Sequence, residues 1–162
     1  GAYPGAEAEA GNIAGAIAEC LATLLSLPVP TLAVILGEGG SGGAIAIAAC
    51  DRVLMLENAT YTVISPEGAA AILWKDANAA PQAAQALALS AARLNKLGVV
   101  DELIPEPVGG AHLDPQATAR ALREALLANL QELASLRVDE LLKLRYSRYR
   151  NVGIRGAKTK AG

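Results

Sequence analysis

From Glu7 to Ser26, apolar side chains recur every three to four residues through Ile13, Ile17, Leu21 and Leu24 or Leu25, which predicts one amphipathic helix stopped by Pro28 and Pro30. The period then changes. Thr31–Leu36 is a continuous apolar run rich in β-branched residues, the pattern of a strand covered on both faces, and it leads into the glycine-rich turn Gly37-Glu38-Gly39-Gly40-Ser41-Gly42-Gly43-Ala44. Ser41–Ala49 predicts a short helix, with Gly42 and Gly43 tolerated in its first turn. Strands are expected at Arg52–Leu56 and Thr60–Ile64, separated by Glu57-Asn58-Ala59. Ser65-Pro66-Glu67-Gly68 opens a helix through Trp74, with Ser65 as N-cap and Pro66 at the first helical position, where its missing N–H is harmless. Asp76 restarts a helix of about twenty residues that ends at Lys96-Leu97-Gly98, where the glycine suits a C-cap. Val99–Ile104 reads as a strand and Pro105–Pro115 as a loop holding His112. Two amphipathic helices between Gln116 and Tyr149 break near Ser135–Val138, and residues 151–162 read as a disordered tail.

A chain of 162 residues with 52% hydrophobic content can bury one ordinary core, so one α/β domain is expected. Phe is absent and Trp74 is the single tryptophan, leaving few aromatic anchors for bases or flat ligands. A net charge of -2 argues against nucleic acid bound over the whole surface. Eight of the fourteen basic residues nevertheless follow position 136: Arg137, Lys143, Arg145, Arg148, Arg150, Arg155, Lys158 and Lys160. They read as a solvated helix and tail, with phosphates or a partner's acidic face as the functional alternative. Cys20 and Cys50 have neither CxxC spacing nor clustered histidines and read as buried thiols in a reducing compartment, with no metal in this chain. No apolar run reaches the ~18–20 residues of a membrane span and no signal pattern opens the chain, so a cytoplasmic location is expected. The opening Gly1-Ala2-Tyr3-Pro4-Gly5 is a turn with no strand before it, which implies preceding segments.

Two chemistries fit the glycine turn. Gly37-x-Gly39-x-x-Gly42 between a strand and a helix matches a dinucleotide fingerprint, with Glu57, twenty residues past Gly37, placed to hold a ribose hydroxyl. Alternatively, the amides of Gly42, Gly43 and Ala44 at a helix start point at a developing oxyanion, which requires no catalytic side chain. Other candidates are weaker. Ser41 lies outside a GxSxG elbow and reads as a cap or packing residue. Glu38 and Glu67 could pair as carboxylates or orient amides, and His112 reads as a loop hydrogen-bonder.

Five ordered segments carry a resemblance: Gly1–Gly5, Gly37–Ala44, Ile64-Ser65-Pro66-Glu67-Gly68, Ile72-Leu73-Trp74-Lys75 and Ile104-Pro105-Glu106-Pro107-Val108-Gly109-Gly110-Ala111-His112. Over residues 1–150 the chain resembles the carboxyltransferase alpha subunits of bacterial and plastid acetyl-CoA carboxylase. The resemblance implies a crotonase-like α/β fold, a spiral of ββα units with C-terminal helices, of which residues 1–150 form a C-terminal portion. It implies transfer of a carboxyl group from carboxybiotin, on a biotin carboxyl carrier protein, to acetyl-CoA, forming malonyl-CoA for fatty-acid synthesis. It also implies a zinc-ribbon-bearing beta subunit as partner, in an alpha2beta2 hetero-tetramer. Carried over residue by residue, Gly42, Gly43 and Ala44 are the amide donors to the biotin ureido oxygen, and Gly39 and Gly40 let the backbone approach. Ser65, Pro66, Glu67 and Gly68 wall the biotin site, with Tyr3, Pro4 and Gly5 as its opposing rim. At Glu7–Asn12 the chain lacks the arginine the family carries.

Overall fold

The computed structural model describes residues 5–152. Tyr3, Pro4 and nearly all of the expected tail, from residue 153, lie outside the described residues.

Among the described residues, five strands fall into two parallel sheets. β1 (Leu32–Ile35), β3 (Arg52–Leu56) and β5 (Glu102–Ile104) form one in the order β1-β3-β5, and β2 (Glu38–Gly40) pairs with β4 (Thr60–Thr62) in the other. The repeat is ββα. Each turn sends its first strand to the larger sheet and its second to the smaller, then closes with a helix: α3 (Ser41–Ile47) after β2, and α4 (Pro66–Trp74) after β4. The register puts Leu32 opposite Arg52 and Glu38 opposite Thr60, so one turn of the spiral takes about the twenty residues a short β-strand-and-helix unit needs.

β3 is central in its sheet, and Val53, Leu54, Met55 and Leu56 are all buried, as a strand covered on both faces must be. β1 lies at the sheet's edge among the described strands and buries Ala33 fully. Val100, Leu94 and Ile104 complete the main core, while Ala69, Ala70 and Ala83 form a second cluster where α4 meets α5 (Ala80–Leu87). α7 (Pro115–Ala134) packs against β1 and β5; its first turn is capped by Asp114, whose carboxylate accepts from Ala117 N at 2.8 Å.

Three expected elements are divided. The first helix breaks into α1 (Ala6–Ala10) and α2 (Ile13–Ser26) because Gly11 ends the first turn and Asn12 takes a left-handed φ of 60°. The twenty-residue helix becomes a 3-10 turn at Ala77–Ala79, α5, and α6 (Ala91–Lys96), interrupted at Ala88 (φ 56°), where Ser90 bridges to Thr60. The glycine turn is also partly strand, since Glu38–Gly40 is β2 itself. The final helix α8 spans Val138–Arg150. Among the described residues, no helix is long and apolar enough to cross a membrane.

Candidate functional site

The smaller sheet sets the geometry. β2 and β4 run parallel with Gly40 opposite Thr62, so both end at the same edge, and both chains then turn into helices: α3 at once, α4 after Val63–Ser65. In parallel sheets this carboxyl edge is where ligands meet backbone amides and helix starts. The topology therefore brings the Gly39–Ala44 and Ser65–Gly68 segments, fixed from different parts of the chain, to one edge.

At α4 the local chemistry follows its sequence. Ser65 is extended, Pro66 opens the helix, and Ser65 Oγ accepts from Gly68 N at 3.1 Å. Gly68 packs tightly: a Cβ there would stand 3.0 Å from an Ile64 methylene and 3.1 Å from Ser65 Oγ. Thr62 Oγ1 donates to Ile64 O at 2.8 Å and stiffens the approach to the cap. Glu67 is exposed in the first turn.

α3 is built differently. Gly40, extended, precedes Ser41, whose φ is 61°, and no side chain caps the helix, so Ser41 is not the cap its position suggests. With the helix starting at Ser41, the amides of Gly42 and Gly43 have no acceptor within it, while that of Ala44 is the first positioned to reach back to Gly40. The helix start is thus displaced by one residue from an arrangement with three equivalent donors. Glycine serves two purposes here. The face of Gly39 is taken by Tyr61, whose ring would lie 3.0 Å from a Cβ; Gly40 faces open space, with nothing within 4 Å of such an atom. A cleft of about 170 Å³ runs beside this segment, lined by Leu36–Gly39, Ala44 and Tyr61.

Gly5 lies away from this edge in sequence, as the extended N-cap of α1. Glu57 and His112 lie on the other sheet's side. Glu57, after β3, accepts from Glu106 N at 2.9 Å. Glu106 in turn accepts from Asn58 N at 3.0 Å and Ala111 N at 2.7 Å, and the Asn58 amide foremost, with that of Ala111, holds its carboxyl below the usual range. The Ile104–His112 motif is therefore a clasp joining the β3–β4 turn to the end of β5, and His112 stands exposed beside Gly110. With Glu57 engaged in that clasp and the strands divided between two sheets, the dinucleotide reading fails: its fingerprint needs one continuous sheet and a free carboxylate.

The basic segment is the main correction. Arg145 is 1% exposed. Its Nε and Nη2 donate to Asp51 Oδ1 and Oδ2 at 2.8 and 2.7 Å, and the rest of its guanidinium serves the carbonyls of Leu24, Leu27 and Val29 at 2.7–2.9 Å. Asp51 also accepts from Thr31 N and Oγ1. Arg148 pairs with Asp101, and the Tyr149 hydroxyl donates to Ala48 O and Cys50 O. A signal for this existed: Arg145 lies four residues from Leu141, on the face that α8 buries. Both cysteines are free, but only Cys50 is buried; Cys20 is half-buried on α2.

The chain matches the acetyl co-enzyme A carboxylase carboxyltransferase-like family over residues 1–153. It is 56% identical over 162 residues to the acetyl-coenzyme A carboxylase carboxyl transferase subunits beta/alpha of Salinispora tropica, covering 100% of this chain and 29% of that one. It is 55% identical over 153 residues to the carboxyl transferase subunit alpha of a Thermus thermophilus strain, covering 94% of this chain and 49% of the relative. The figures for the alpha subunit of Azotobacter vinelandii are 52% over 153 residues, 94% and 48%. The chain thus spans about half the length of the alpha subunits it matches. Among solved structures, a Pseudomonas malonate decarboxylase hetero-tetramer in complex with coenzyme A superposes with a TM-score of 0.73 at 17% identity, over 98% of this chain and 64% of that one. A transcarboxylase 12S chain gives 0.67 at 22% identity, over 83% and 26%. These likenesses carry the fold, and the ββα spiral is the crotonase-like one expected.

Proposed function

Because the chain belongs to the acetyl co-enzyme A carboxylase carboxyltransferase-like family, we propose that it forms the alpha-side wall of the carboxyltransferase site of acetyl-CoA carboxylase. There the carboxyl group of carboxybiotin, borne on a separate biotin carboxyl carrier protein, passes to acetyl-CoA and yields malonyl-CoA for fatty-acid synthesis. The observation that supports this most is the shared edge of β2 and β4, from which α3 and α4 both start.

Carboxybiotin, when bound, would supply the activated carboxyl group and a ureido oxygen that takes up negative charge. The amides of Gly42 and Gly43 donate to this oxygen, each worth about 3–4 kcal/mol of transition-state stabilisation in a site closed to water; Ala44, on the first rung of the helix, adds its dipole from behind. The open face of Gly40 leaves room for the ring system. Ser65, Pro66, Glu67 and Gly68 wall the site from α4, with Ser65 held by its bond to Gly68 N. The resemblance assigns the opposing rim to Tyr3, Pro4 and Gly5, of which Gly5 alone is among the described residues. Ser41, with no cap bond, serves only to turn the chain into α3.

A beta subunit bearing a zinc ribbon is the partner in this reading and receives acetyl-CoA, within an alpha2beta2 hetero-tetramer in the cytoplasm. Ile72 and Leu73 on α4 are exposed at 70% and 68%, and an unpartnered apolar surface of this kind favours such an assembly. The test is Gly43→Pro in the complete enzyme, which deletes a donor where proline's φ still suits the first turn. Malonyl-CoA formation from carboxybiotin should fall about 10²- to 10³-fold in kcat with assembly retained. Unchanged turnover in an assembled enzyme overturns the assignment.

A further inference from the structure

α3 is poorly equipped to hold its own direction. It has seven residues, two of its first three are glycine, and it starts from a left-handed serine, so neither propensity nor length secures it. On one side it rests on α2, where Gly42 faces Ile17. On the other, Ile45 and Ala48 border a cavity of about 360 Å³ shared with Val63, Leu87, Leu94 and Tyr149.

One polar strut reaches α3's far end beside this cavity. Tyr149 Oη lies 2.8 Å from Ala48 O, at the C-cap of α3, and 2.8 Å from Cys50 O, just before β3. Burial pushes the Tyr149 hydroxyl above its ordinary range, which keeps it a donor. Its mounting is rigid, because Arg145, one turn earlier on α8, is locked to Asp51 and to the carbonyls that end α2.

We propose that Tyr149 is a positioning residue for carboxyl transfer: its hydroxyl fixes the C-terminal end of α3 and thereby the direction in which the Gly42 and Gly43 amides point. This rests on the reading of those amides as donors. A shift of about 1 Å in such a group is enough to slow a reaction many-fold.

The experiment compares Tyr149→Phe, Gly43→Pro and the double variant in the complete enzyme, with Tyr146→Phe, at an exposed tyrosine, as control. Tyr149→Phe should lower kcat about tenfold, with KM for both substrates within roughly twofold. Exchange of the Ala44 and Ala48 amides, the first and last rungs of α3, with deuterium should speed up about tenfold, and Tyr146→Phe should change neither. On the Gly43→Pro background, Tyr149→Phe should cost less than roughly a further threefold, because one of the two amides it acts through is already lost. Wild-type kcat in Tyr149→Phe overturns the proposal, as does a full tenfold loss in both backgrounds. If Gly43→Pro leaves transfer intact, the donor reading falls, and exchange alone decides whether Tyr149 holds α3: faster supports it, unchanged overturns it. Should Tyr149→Phe fail to assemble, 3-fluorotyrosine at 149, a stronger hydrogen-bond donor, replaces it; slower exchange at Ala44 and Ala48 is then expected, and unchanged exchange overturns the proposal.

Discussion

Replacing Arg145 with Met keeps most of the side chain's volume and removes all of its donors. Arg145 and Asp51 are 1% and 3% exposed, so water cannot take the guanidinium's place. The variant leaves Asp51 with only the Thr31 bonds, and leaves the carbonyls of Leu24, Leu27 and Val29 without their donor. Breaking a buried pair from one side typically costs about 3–5 kcal/mol, since the remaining charge is uncompensated. At a urea slope of about 2 kcal/mol/M, that lowers the unfolding midpoint by roughly 2 M. The double variant Arg145→Met/Asp51→Asn removes the stranded charge and should recover part of the loss. The pH dependence carries a second signature. Burial alone would raise the Asp51 carboxyl, but the hydrogen bonds from Arg145 and Thr31 outweigh it and hold it below its ordinary 3.8. A group lowered in the folded state contributes stability above its unfolded value and loses it as pH falls through the folded one. The wild type should therefore weaken below about pH 4 through this group, whereas in Arg145→Met burial dominates, Asp51 is raised, and its contribution improves with acid. A midpoint shift of less than about 0.5 M, or identical acid slopes in the two proteins, would refute the argument.

Lys75 ends α4 with φ 57°, a conformation glycine adopts without strain; Lys75→Gly should stabilise the protein by about 0.5–1 kcal/mol in the same urea assay. Burial pushes the Cys50 thiol up, so a maleimide should label Cys20 first and Cys50 only on unfolding, as read by mass spectrometry. Glu57→Ala should weaken folding by about 1 kcal/mol through the lost Glu106 amide bond, and NAD titrated into the protein should give no binding signal with or without the substitution.

The sequence was most legible where local chemistry decides the outcome. Ser65-Pro66 marks the start of α4 because cap and proline act within one turn, and Gly98, at φ 73°, follows α6 for the same reason. β3 was legible because a buried central strand is apolar at every position. The break at Ala88 was not, since nothing in an alanine-rich run announces a left-handed residue; tertiary pairing of Ser90 to Thr60 accompanies it, whereas Gly11-Asn12 did carry a local signal, asparagine being the side chain that most readily turns left-handed. At the site, the glycines were visible and their division of labour was not. Gly39 makes way for Tyr61 and Gly40 opens outward, a difference that depends on a strand twenty-two residues on. Arg145 was hidden by its own charge: arginine in a basic stretch reads as solvated unless its place on the helix face is weighed against Leu141.

The Arg145–Asp51 lock joins positions 94 apart in the chain. A ribosome adding about 5–20 residues per second reaches the arginine roughly 5 to 19 seconds after the aspartate. Throughout that interval β1 and β3 can pair and Thr31 can bond the carboxylate at their head, yet that charge has no guanidinium opposite it and the carbonyls ending α2 have only water for company. The half-made protein is thus a distinct species with an unsealed end, and a chaperone that meets it during synthesis meets a surface the finished molecule no longer has.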